Sequence, residues 1–240
     1  MSETGHAKNV ANLQDLISFV TGYGATYNPS KNSLKLPQLI LLKASAENNL
    51  ADVITKNTNY NNKVNERITA FSGLKSYSTR LVNALQTTDA IPETIGNAKT
   101  FNRKMQGKKA SSTQTPTDPN APASTTISTS QQSYDQLIQH LAGLSSVLEA
   151  ETSYTPNEID LEAATIQAKI AELSAKNTAV ATAYTSINNS RIARNETLYS
   201  STTGLVETAN EVKKYVKSVF GASSPQFAQV KGIEFKKPKI

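Results

Sequence analysis

The chain of 240 residues contains no cysteine and no tryptophan. Without thiols it has no disulfides, no zinc-thiolate site and no cysteine nucleophile. Histidine occurs twice, as His6 and His140. Neither stands beside a cluster of carboxylates in the sequence, so a structural or solvent-facing role is expected of each, with His6 in a frayed terminus. Long hydrophobic runs are also missing. The strongest, residues 36–42, is broken by Pro37 and Gln38 and falls far short of the about 20 residues that a membrane span needs. Ile40 and Leu41 would be its insertion residues in a membrane-active protein; a core helix is the expected reading. Residues 1–16 show no basic start followed by an apolar run, so no secretory leader is expected. The default location is cytoplasmic, with signal-independent export or a place in a virion-like assembly as alternatives.

Catalytic signatures are equally scarce. There is no HExxH, no Walker-type phosphate loop and no GxGxxG. Gly107-Lys108-Lys109 lacks the upstream glycine-rich loop that would cradle a phosphate. Serine and threonine abound, yet a hydroxyl nucleophile needs an oriented base. Glu47, Asp52, Glu66, Glu158, Asp160, Glu162 and Glu172 are scattered and read as solvated helix faces. The chain is therefore expected to be no enzyme and to hold neither metal nor cofactor.

What the sequence does contain is helical periodicity, in two parts. Residues 110–132 hold eleven Ser or Thr, three Pro and one large apolar residue, Ile127. Such a segment cannot bury enough apolar surface to offset its ordering entropy. It divides the chain into a first helical repeat (residues 1–109), a linker (110–132) and a second repeat (133–240). The flanks match in order: Leu16, Ile17 and Val20 with Leu137, Ile138 and Leu141; Tyr27 and Pro29 with Tyr154 and Pro156; Gly73-Leu74 with Gly204-Leu205. The separation grows from 121 through 127 to 131, as small insertions in a second copy would produce.

In the second copy Ile166, Ile170, Leu173, Asn177, Val180, Tyr184 and Ile187 are spaced four and three apart in alternation, a coiled-coil-like stripe. Asn177 reads either as a register-setting polar residue or as an edge position. Thr155-Pro156-Asn157-Glu158 reads as a helix start, and Gly221 with Pro225 as a stop. In the first copy Leu39, Leu42, Ala46, Leu50, Val53 and Ile54 form one face and Val64, Ile68, Phe71, Leu74, Leu81 and Leu85 another. The polar run at residues 57–62 reads as a turn, with an unbroken helix as the alternative. The expected fold is all-α: two tandem copies of a short helix (near 9–23 and 133–150) plus a long helical hairpin, packed as an elongated bundle.

Each copy ends in a basic segment, expected to be short and extended. Arg103, Lys104, Lys108 and Lys109, with Lys99 and Phe101, follow the first; Lys231, Lys236, Lys237 and Lys239, with Ile233 and Phe235, follow the second. Residues 230–235 are an extended segment or short strand whose apolar side chains pack across helix ends. Lysine beside phenylalanine suits phosphate backbones, so nucleic acid is one candidate partner. The leading expectation is a non-catalytic scaffold that self-associates or docks into a larger assembly; a membrane partner is not expected. The long helices are similar in their Ser/Thr/Asn/Ala-rich composition to assembled bacterial and phage surface proteins. The second copy, with its cleaner stripe, reads as the scaffold, and the first as diverged toward a contact surface.

Overall fold

The computed structural model describes residues 3–107 and 132–238. Helices dominate, and no strand occurs among the described residues, so the protein is an all-α bundle. The helices are α1 (Glu3–Gly22), α2 (Leu36–Phe71), α3 (Leu74–Leu85), α4 (Pro92–Gln106), α5 (Tyr134–Ala150), α6 (Ala163–Tyr199), α7 (Leu205–Phe220) and α8 (Pro225–Lys231). Short 3-10 turns at Asn32–Leu34 and Ile159–Leu161 lead into the two long helices.

Contacts sort the chain into two compact units, one of residues 1–61 and 183–240, the other of residues 62–182. Neither coincides with a sequence half, because α2 and α6 each give one stretch to each unit. In the first unit Leu13, Leu16 and Val20 of α1 join Leu39 and Ala46 of α2, Leu198 of α6 and Leu205, Val212 and Val216 of α7 in one core. In the second, Phe71 of α2 and Leu74, Leu81 and Leu85 of α3 join Met105 of α4, Leu141, Leu144 and Leu148 of α5 and Ile166 and Leu173 of α6. α1 packs on α7 and α5 packs on α3, so each core is assembled from both sequence halves.

Several expectations are corrected here. Residues 57–62 form no turn: α2 runs through them to Phe71, and α6 runs through Asn188 and Asn189 to Tyr199. Packing overrides the low helix propensity of asparagine. Val53 is buried one turn or so ahead, and the Tyr60 ring lies 5.8 Å from that of Tyr184. The long helices break instead at Ser72-Gly73 and at residues 200–204. Thr155 does not start α6, which begins at Ala163; residues 154–162 form a separate closed loop. Tyr184 is exposed, and Ala183 takes the buried place in the stripe.

The loops before α2 and α6 are built alike. Tyr27 donates its hydroxyl to the Leu34 carbonyl at 2.7 Å, and Tyr154 donates to the Leu161 carbonyl at 2.9 Å. Both tyrosines are buried, Pro29 is buried and Pro156 half-buried. Burial raises the Tyr27 phenol far above its ordinary range and pushes Tyr154 up to about 12, the nearby Tyr77 adding to the latter. The buried positions Leu39, Ala46 and Val53 stand 127 residues before Ile166, Leu173 and Val180, all buried too. In the first helices the buried set Leu13, Leu16, Ile17 and Val20 matches Leu141, Leu144, Ser145 and Leu148 at a separation of 128. Burial therefore aligns the first helices seven residues, about two helical turns, away from the separation of 121 expected from Leu16 and Leu137. Leu137 is only half-buried, and a heptad slip had preserved the apolar pattern.

Candidate functional site

The basic segments are structured differently from expectation. Arg103 and Lys104 lie in the last turn of α4, a helix started by Pro92 and closed by Gly107 at φ 76. Both are exposed, Lys104 reaching over the Phe101 ring at 5.6 Å. The position before Pro92 and the terminal glycine were helix signals already in the sequence. Lys108, Lys109 and Lys239 lie outside the described residues, as does the linker up to residue 131. Lys231 ends α8, capped at its start by Ser224, whose hydroxyl accepts from Phe227 N. Pro225 thus opens a helix, while Gly221, at φ 92, ends α7.

Beyond Gly232 the chain is extended, without strand pairing. Ile233 and Phe235 are half-buried against the core of the first unit, while Glu234, Lys236 and Lys237 face outward. Asn9 of α1, 2% exposed, grips this segment with both ends of its amide: Lys236 N donates to Asn9 Oδ1 at 3.0 Å and Asn9 Nδ2 donates to the Lys236 carbonyl at 2.8 Å. One turn on, Asn12 donates to the Glu234 carbonyl at 2.6 Å. Lys213 of α7 donates to the Ile233 carbonyl at 2.8 Å, and burial holds its ammonium below the ordinary lysine range. Lys236 pairs with Glu234 at 3.0 Å, and Lys237 with Glu207 at 3.6 Å. The tail is a strap seated on α1 and α7. Nothing in the composition announces the pair Asn9 and Asn12; their three-residue spacing on the face of a short helix was the one available signal.

In the second unit a polar cluster joins three helices. Arg67 of α2 donates to Asn177 Oδ1 at 2.9 Å, and Asn177 Nδ2 donates to Asp135 of α5 at 2.7 Å. The Arg67 guanidinium lies 4.0 Å over the Tyr134 ring. Glu66 receives Lys63 at 2.8 Å and Lys176 at 2.9 Å, and these ammonium groups hold its carboxyl below the usual range. Asn177 thus bonds across helices while half-buried. Ile170 is half-buried and Ile187 buried.

Both histidines sit inside helices. His6 is 3% exposed, its Nδ1 2.6 Å from the Tyr199 hydroxyl, so the expected frayed terminus is a packed one. His140 is buried in α5, and burial, with the Lys104 charge adding, lowers its affinity for a proton. Among the described residues no group of three or more His, Asp or Glu could hold a metal. No helix there is long and apolar enough to cross a membrane. In residues 36–42, Leu39 is fully buried while Ile40 and Leu41 are exposed.

Those two belong to an outward face of α2. Ile40, Ala44, Glu47, Ala51 and Ile54 follow one another at helical spacing and are all exposed, Ile40 by 50% and Ile54 by 65%. Lys43 pairs with Glu47 at 3.0 Å on its flank. No protein-family model, no curated protein and no solved structure matches the chain.

Proposed function

We propose that the protein is a non-catalytic helical scaffold that associates with a second copy of itself through the exposed face of α2. The observation that carries this reading is the spacing of small and apolar residues along that exposed face. Ile40, Ala44, Glu47, Ala51 and Ile54 alternate in steps of four and three, the spacing of a helix–helix seam. Laid antiparallel on a twin centred at Glu47, Ile40 meets Ile54, Ala44 comes within one residue of Ala51, and the two Glu47 carboxylates meet at the centre, each paired with its own Lys43. Alternating large and small side chains then interdigitate. Apart from Glu47 the exposed row is small or apolar, with an isoleucine at each end. The nucleic-acid alternative finds less support, since Lys236 and Lys237 already pair with carboxylates.

The same reading includes an internal duplication. The matched tyrosine closures, the buried positions 127 residues apart and the equal placement of the 3-10 turns support it. It also accounts for a face of this kind on α2, the long helix of the first copy.

Sedimentation velocity on the full chain tests the proposal. The wild type is expected to dimerise at micromolar concentration, and Ile40→Glu with Ile54→Glu to return it to a monomer with its circular dichroism unchanged. A wild type that stays monomeric at high concentration, or a dimer indifferent to both substitutions, would falsify the reading.

A further inference from the structure

The strap at residues 233–237 has the features of a bound peptide. Three of its carbonyls (Ile233, Glu234, Lys236) and one of its amides (Lys236) are met by side chains of α1 and α7. None of these hydrogen bonds depends on the identity of the strap residue. Selectivity comes instead from alternation: Ile233 and Phe235 turn into the core while Glu234 and Lys236 turn out. Asn9 is the anchor, a buried amide whose two ends pair with the N–H and C=O of one residue as a neighbouring strand would. The strap leaves α8 through Gly232, and its inward residues are half-buried. A short segment with little buried apolar area opens at low free energy. In the second unit α4 continues as a helix and packs on α5. There Leu137 and His140, by the 128-residue register, stand where Asn9 and Asn12 stand. A unit of this build thus closes without an extended strap, and the asparagine pair is particular to the first.

We propose that Asn9 and Asn12 of α1, with Lys213 of α7, form a binding groove for an extended peptide of the pattern apolar–any–apolar, and that residues 233–237 are its resident, displaceable occupant. A peptide presented by another chain would compete with the strap and take the same hydrogen bonds and the same two apolar seats. The intramolecular strap has the advantage of high effective concentration, so it masks the groove until a competitor arrives or its own anchors weaken.

A labelled peptide with the sequence of residues 232–238 is the probe, read by fluorescence anisotropy against the full chain. The wild type is expected to bind weakly. The Ile233→Ala, Phe235→Ala double variant, whose strap is a poor competitor, is expected to bind at least tenfold more tightly. In that background Asn12→Ala and Asn9→Ala are each expected to lower affinity tenfold or more. A peptide with the apolar pair moved onto neighbouring positions is expected not to bind. Absence of binding by the double variant at unchanged helicity overturns the proposal, as does binding that ignores the apolar pattern. Should Asn9→Ala fail to fold, the half-buried Asn12 carries the same test, and affinity unmoved by Asn12→Ala counts against the groove.

Discussion

Gly73 and Gly204 occupy the same place in the chain, one residue before the helix that follows each long helix, yet only one is sterically required. A Cβ on Gly204 would stand 2.5 Å from the backbone N and O of Ser200, whereas one on Gly73 meets nothing within 4 Å. Gly204→Ala is expected to cost on the order of 1–3 kcal/mol, and Gly73→Ala to stay within about 0.5 kcal/mol; thermal melts of the two variants check this. His140 makes a second prediction. Its proton affinity is lowered in the folded state, mainly by burial. The unfolded chain therefore takes up the proton first as the pH falls. The stability that the neutral ring contributes is present above its ordinary value of 6.5 and is lost as the pH drops below it. Denaturant midpoints should fall between pH 7 and 5 in the wild type, and fall less in His140→Leu.

The long helices run through polar stretches that the sequence presents as turns. Asn59→Pro discriminates between the two readings: in a turn it is tolerated, whereas inside α2 it should cost about 3 kcal/mol or more and lower helicity. Circular dichroism with a urea titration gives the answer. How far such elements could be read in advance varied with the physics. The first helices and most of the stripe of α6 were legible, because burial and period leave a pattern, whereas the loop at Tyr154 and Pro156 read as a helix start. The continuity of α2 was not, since tertiary packing outweighed asparagine's propensity. Apolar spacing alone aligned α1 with α5 seven residues away from where burial aligns them, because a heptad shift leaves that spacing intact. The strap was foreseen as extended and apolar-inward, but its seat on Asn9 and Asn12 depends on a contact across more than 220 residues. One polar device at this scale distinguishes the two loops. Lys31 pairs with Glu211 at 2.6 Å in the first unit, and Asp160 pairs with Arg80 at 2.6 Å in the second. Glu211 and Arg80 hold matching positions on α7 and α3, so exchanging those helices would set Lys31 against Arg80 and Asp160 against Glu211. Each exposed pair is worth little alone; the reversed polarity opposes the wrong partnership.

At the level of the whole molecule, each sequence half supplies chain to both compact units. A protease site inserted between residues 120 and 121 should therefore leave, after cutting, two fragments that elute together and keep the helicity of the intact protein. Fragments that separate without denaturant would contradict the division of contacts. The division also sets a timetable for synthesis. Residues 62–182 are continuous, so the second unit can close while the chain is still being made. The first cannot. The apolar face of α1 must wait until α7 has emerged, roughly 200 residues later, which at 5–20 residues per second is about 10–40 s. For that interval α1 has only the loop after it and Leu39 and Ala46 of α2 to cover its apolar face, and the part still open is a client for whatever chaperone attends the ribosome exit.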